Sequence, residues 1–93
     1  MTILQKNIDR YMDLKGMSYY TDLLMAIAKI QGMKRDEAIA FATKEKSNFS
    51  KMLKGERPLK YDYIIPLEKI FGVPLAKLLE EQPYFEAINK DDI

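Results

Sequence analysis

The chain has 93 residues, 47% of them hydrophobic and 31% charged, and a formal net charge of +1. These values predict one small globular domain and exclude a disordered chain. The absence of cysteine and histidine removes the commonest general base, thiol nucleophile and zinc ligands, so we expect no enzymatic activity, metal or cofactor. We find no signal peptide and no apolar run near the roughly 18 residues of a membrane span, and expect a cytoplasmic protein.

Two helices are predicted in the first third of the chain. The first covers about residues 4–15, ends at Gly16 and has helically spaced apolar residues, namely Ile8, Tyr11, Met12 and Leu14. The stretch SYYTDLLMAIAKIQG predicts a second helix over about residues 20–31, which Gly32 ends. Ser18 or Thr21 is the expected N-cap of this helix.

Two shorter helices are predicted next. KRDEAIAFATK, residues 34–44, consists of good helix formers with two acids in its first turn. A fourth helix of about two turns begins at an N-cap, Ser47, and ends at Gly55. Its apolar residues, Phe49, Met52 and Leu53, share one face, so they are expected to attach this short helix to the core.

Residues 44–60, KEKSNFSKMLKGERPLK, carry most of the positive charge. Six cations and two acids give this segment a net charge of +4, whereas residues 77–93 carry −3. This asymmetry indicates one face that meets a polyanion. An ordinary solvated helix face is the alternative that charge alone leaves open.

The last third predicts a fifth helix over residues 61–71, ending at Gly72, and a sixth over residues 74–81. Pro66 should kink the fifth helix, or the regular helix begins only near residue 64. Residues 83–93 form a polar tail. Its aromatic residues, Tyr84 and Phe85, either fold back onto the core or wait for a partner.

The glycine spacings resemble those of the phage repressor and Cro-like helix-turn-helix family, often called XRE-type. The resemblance rests on KIQGMK, GERP and FGVPLAKLL, with 23 residues from Gly32 to Gly55 and 17 from Gly55 to Gly72. It covers about residues 23–81 and makes Phe49 the buried residue of the recognition helix. It implies an all-α, lambda-repressor-like helix-turn-helix domain of about five to six short helices over residues 1–82.

The chain departs from that family in two places. The stretch FATKEKSNFS lacks the glycine that the family has in the turn between its two key helices. The N-terminal segment is also longer than the family needs. Either residues 20–31 form an inserted helix, or they are the family's first helix and residues 1–18 are an addition.

The resemblance implies sequence-specific binding of double-stranded DNA, as in a bacterial or phage transcriptional regulator. On this reading the fourth helix enters the major groove and reads bases with Asn48, Ser50, Lys51 and Lys54. The DNA backbone is contacted by Arg35, Lys46, Ser47, Arg57 and Lys60. For Arg57, an ion pair with Glu56 or Glu68 is the structural alternative.

A two-fold homodimer, weakly associated in isolation, is expected because one short helix reads few base pairs. Its surface is either the N-terminal helix with Tyr11 and Tyr19 or the tail with Tyr84 and Phe85. The rival function is a protein-interaction module, antitoxin-like or an adaptor, that keeps the fold. A protein-binding surface is richer in aromatic residues than in lysine, and residues 44–60 are lysine-rich.

Overall fold

The computed structural model describes residues 1–81. It contains five α-helices, namely α1 (Ile3–Leu14), α2 (Tyr20–Ile30), α3 (Arg35–Leu53), α4 (Tyr61–Phe71) and α5 (Leu75–Leu78). These residues include no strand, so the predicted all-α class and a count of five helices are confirmed. The predictions for the polar tail, including Tyr84 and Phe85, lie outside the described residues.

The predicted break between the third and fourth helices is wrong, because α3 runs without interruption through Ser47. The stretch between Thr43 and Ser47 contains no glycine or proline, and its lysines and glutamate are good helix formers. Ala42 and Phe49, seven residues apart, are both buried. Seven residues return a helix to nearly the same face, so one continuous helix buries both.

The end of α3 is fixed by Gly55, as predicted. Its φ of 81° lies in the left-handed region, where a side chain would be strained. The Gly55 amide donates to the Met52 carbonyl at 3.2 Å, and the Glu56 amide donates to the Lys51 carbonyl at 2.9 Å. This pair of bonds closes the last turn and sends the chain away from the helix axis.

Phe49 and its neighbours form an aromatic centre in the core. The Phe49 ring lies edge-on to Tyr20 and to Tyr63, with ring centroids 5.7 and 5.5 Å away. Tyr11 is also buried and stacks on Phe71 at 5.4 Å, whereas Tyr19 is largely exposed. The N-terminal dimer surface expected from Tyr11 and Tyr19 is therefore reduced to Tyr19.

Two polar residues, one at the N-cap of α1 and one within it, form hydrogen bonds with the ends of distant helices. The Thr2 hydroxyl accepts from the Gln5 amide, which caps α1, and donates to the Leu53 carbonyl at the end of α3. The side-chain amide of Asn7, a buried residue, donates to the carbonyls of Leu78 and Glu80 at 2.9 and 2.8 Å. These bonds satisfy carbonyls that helix ends leave without partners.

Pro66 is accommodated within α4 rather than at its start. Because proline has no amide hydrogen, the carbonyl four residues earlier, that of Asp62, loses its helical donor. The Gln31 side chain donates to this carbonyl at 3.1 Å. Because of Pro66, the Asp62 carbonyl is available to accept this hydrogen bond, which links α4 to the end of α2.

The other helix starts differ in detail from the predictions. Tyr19 is the N-cap of α2, and the Asp22 carboxylate accepts from the backbone amide of Tyr19 at 3.1 Å, so neither Ser18 nor Thr21 caps this helix. The last helix is shorter than predicted. Pro74 is its N-cap, and the Glu68 carboxylate accepts from the Leu75 amide at 2.8 Å.

Candidate nucleic-acid interface

The outward face of the C-terminal half of α3 is lined by small polar and cationic side chains. Lys44, Ser47, Lys51 and Lys54 are all exposed. At 100° per residue, each of them points at least 140° away from Phe49, a fully buried residue of this half. The predicted burial of Phe49, Met52 and Leu53 on one shared face is confirmed, although that face belongs to a longer helix.

Two further cations follow α3 and extend this surface. Arg57 and Lys60 are exposed and line, with Lys44, a groove of about 590 Å³ whose apolar floor includes Met52 and Leu59. We define the basic face as these outward and following residues: Lys44, Ser47, Lys51, Lys54, Arg57 and Lys60. Within residues 44–60, Glu56 is the one exposed acid, since Glu45 is half-buried.

Asn48 lies on the flank of the basic face and is held there by two neighbours. Arg57 donates a hydrogen bond to its side-chain oxygen, and its side-chain nitrogen donates to the Glu45 carboxylate at 3.3 Å. The structural partner of Arg57 is therefore Asn48 rather than the carboxylates of Glu56 or Glu68. One amide hydrogen and one oxygen lone pair of Asn48 remain for other contacts.

Glu45 connects this network to the core. Burial raises the pKa of the Tyr63 hydroxyl well above its usual value of 10.0, and the nearby Glu45 carboxylate, which accepts a hydrogen bond from it, raises the pKa further. The negative charge of Glu45 is thus directed toward Tyr63 and Asn48. This leaves the cations of the basic face largely uncompensated toward solvent.

The four predicted base-reading residues do not share one face. Lys51 and Lys54 are exposed on the outward face, whereas Asn48 and Ser50 are half-buried on its two flanks. Two residues apart on a helix, Asn48 and Ser50 point about 160° away from each other. A duplex centred on Lys51 and Lys54 would meet Asn48 and Ser50 only at opposite edges of the outward face.

Two predicted backbone contacts lie away from the basic face. Lys46 points about 140° away from Lys51 and lines a cavity that also contains Asp9 and Asp13 of α1. Arg35 begins α3, sixteen residues before Lys51, which corresponds to about 24 Å along the helix axis. A duplex lying on Lys51 and Lys54 would first meet the other three predicted backbone residues, Ser47, Arg57 and Lys60. It would reach Lys46 and Arg35 only after them.

Lys44 was missed as a site residue. It lies seven residues before Lys51, a spacing that places both on the same side of one helix. That signal was hidden by the break predicted between them. The continuous helix therefore brings one more cation to the surface.

The two ends of α3 carry opposite charges. Asp36 and Glu37 occupy its first turn and Lys51 its last, which complements the partial charges of the helix ends. The partial negative charge at the C-terminal end opposes a phosphate there. Lys51 and Lys54 carry full charges that exceed this partial charge, so the C-terminal end of α3 stays positively charged toward solvent.

Within residues 1–81, no group of three or more acidic side chains is arranged to hold a metal ion. No helix in this part of the chain combines the length and the apolar character needed to cross a bilayer. Comparison of the chain with protein-family models, with curated proteins and with solved structures gave no match. A functional proposal for the basic face therefore depends on its chemistry and geometry.

Proposed function

We propose that the protein binds double-stranded DNA through the basic face and acts as a transcriptional regulator of bacterial or phage type. The observation that carries the proposal is the clustering of five cations, with one exposed acid, on the outward half of α3 and the segment after it. Phosphate contacts from such cations supply most of the affinity of DNA-binding proteins.

The dimensions of the basic face fit a duplex. An α-helix with its side chains is about 10–12 Å across and the major groove is about 12 Å wide, so the groove can admit the roughly 15 Å of α3 from Lys44 to Lys54. In this proposal the exposed side chains of Lys51 and Lys54 contact base edges, and the short side chain of Ser47 lies between them and Lys44. Arg57 and Lys60 lie beyond the helix end, where they reach the adjoining phosphates and fix the register.

A protein-interaction module is the second candidate function. Large exposed aromatic side chains favour it, and Tyr61, which follows Lys60, is 72% exposed. The basic face itself contains no aromatic residue. Its composition supports an anionic partner more strongly than an apolar one.

The salt dependence of binding tests the proposal. If each lysine neutralises about one phosphate, replacing Lys44, Lys51, Lys54 and Lys60 by Gln should reduce the slope of log K against log salt by roughly 3–4. Fluorescence anisotropy with a labelled random duplex at several salt concentrations measures this slope. Glutamine keeps the helix propensity and leaves the Arg57–Asn48 bond in place.

The matched control removes four exposed lysines elsewhere, Lys15, Lys29, Lys34 and Lys69, by the same substitution. Both variants lose the same formal charge, so a difference between them reports position. We expect the control to change the slope by less than about 1. Equal slopes for the two variants, or no duplex binding by the wild type at low salt, would contradict the proposal.

A further inference from the structure

A second groove lies between α2 and α3, at the N-terminal end of α3. Its volume is about 470 Å³, and its lining residues are Met25, Ala26, Lys29, Met33, Arg35 and Ala38. Four of the six are apolar, and none is acidic. Met25 is 36% exposed although it is a large apolar side chain. The groove therefore offers apolar surface to a partner and is part of neither the aromatic core nor the basic face.

The rim of this groove is positively charged. Lys29 and Arg35 are both exposed beside the apolar floor. On α3, the acids Asp36 and Glu37 each point about 130° away from the direction midway between Arg35 and Ala38. On α2, Asp22 shares the face of Lys29 but lies about 10 Å before it along the helix axis, and its carboxylate accepts from the backbone amides of Ser18 and Tyr19. Their carboxylates thus do not neutralise the rim, and an acidic partner is favoured over a basic one.

The apolar lining suits the insertion of a side chain from outside. Methionine has three rotatable bonds and adapts to different partners, and two of the lining residues are methionines. Ala26 and Ala38 leave space between α2 and α3 because their side chains are short. A groove with this lining accepts the apolar stripe of an amphipathic helix.

We propose that the α2–α3 groove docks an amphipathic helix of a partner protein, with apolar side chains on the groove floor and carboxylates against Lys29 and Arg35. Along α3, the groove residue Ala38 lies about 9 Å before Lys44 and about 20 Å before Lys51, and it points about 120° and 140° away from them. A partner in the groove and a duplex on the basic face therefore approach α3 from different sides and can be bound together. The protein then links a bound duplex to a second protein.

The methionines provide a separate reporter for each cavity. Met25 and Met33 line the α2–α3 groove, Met52 lines the groove of the basic face, and Met12 and Met17 line the cavity near Lys46. The full chain labelled with ¹³C at the methionine methyls is titrated with a designed helical peptide that has a leucine stripe flanked by glutamates. We expect saturable shifts at Met25 and Met33, with the Met52 signal unmoved.

Two further peptides and one variant make the test specific. A peptide with lysine in place of glutamate and an acidic peptide without the leucine stripe should each bind at least tenfold more weakly. Lys29→Glu combined with Arg35→Glu changes exposed residues only, and it should reverse the preference between the acidic and basic peptides.

A duplex added at saturation should leave the peptide-induced shifts of Met25 and Met33 in place. Absence of saturable shifts, equal binding of the three peptides, or shifts of these two methyls by the duplex itself would overturn the proposal. The last result would assign the groove to nucleic acid instead.

Discussion

Phe49 connects three helices, because it belongs to α3 and its ring lies edge-on to Tyr20 of α2 and Tyr63 of α4. It is fully buried. Its position as a core residue, seven residues after the buried Ala42, follows from helical spacing. Which aromatic residues surround it does not follow, since that depends on how α2 and α4 are placed around α3.

Phe49→Ala should lower the free energy of unfolding by about 3–5 kcal/mol, because it removes a buried ring and leaves a cavity. That loss is comparable with the whole stability of many small domains. Urea denaturation followed by circular dichroism measures the change. Tyr19→Ala, at a largely exposed position, is the control and should cost less than about 0.5 kcal/mol. A Phe49→Ala protein of normal stability would show that this face is not the core.

Tyr63 should make the protein less stable at alkaline pH. Its pKa is raised in the folded state, by burial first and then by Glu45, so folding favours the neutral phenol. This contribution is fully present below the unfolded pKa of about 10 and is lost as the pH rises through the higher folded value. Tyr63→Phe should therefore lose less stability than the wild type between about pH 9 and pH 12. Parallel stability curves for the two proteins, measured by urea denaturation, would contradict this assignment.

At the scale of elements, α1, α2 and α4 follow directly from the sequence, because apolar periodicity and a terminal glycine define each one, and Pro74 marks the start of α5. The exception is α3, where Ser47 is predicted as the N-cap of a separate helix, a break that residues 43–47 do not support. The lysine-bearing half of the site could be predicted from this periodicity. The Arg57–Asn48 bond could not, because it depends on where the chain returns after Gly55.

The substitution Ser47→Ala distinguishes a continuous α3 from two separate helices, because it should change the stability in opposite directions in the two cases. Within a continuous helix, alanine is preferred to serine, so the variant should be more stable by roughly 0.5 kcal/mol. At an N-cap the same change would cost about 1 kcal/mol. Thermal and urea denaturation report the sign, and Ser47 is exposed, so no cavity complicates the comparison. A destabilised Ser47→Ala protein would restore the break.

At the scale of the whole molecule, the proposed DNA binding through one small basic face would limit how many base pairs a single copy can distinguish. Each good base contact discriminates by about 1–3 kcal/mol, and only Lys51 and Lys54 of the predicted readers point outward. Two copies on one duplex would double the readout. Of the surfaces considered for such a pair, the N-terminal one retains only Tyr19 as an exposed aromatic residue, and the tail lies outside the described residues.

We therefore expect a two-fold dimer on DNA. Footprinting on a selected binding site should show a palindrome whose half-sites lie about one helical turn, or roughly 10 base pairs, apart on one face of the duplex. Mass measurement of the complex at saturation should give two copies per duplex. A single copy that protects only about five base pairs would exclude the dimer.

Because of the hydrogen bonds made by Thr2 and Asn7, the order in which the helices are synthesised differs from the order in which their contacts form. Thr2 reaches a carbonyl 51 positions later in the chain, and Asn7 reaches carbonyls 71 and 73 positions later. A nascent chain therefore exposes α1 before the other four helices but cannot complete the Asn7 bonds until residue 80 has left the ribosome. By contrast, α2 and α3 are neighbours in sequence, and short loops close fastest. Of the five helices, α1 is thus synthesised first but is among the last to complete its contacts.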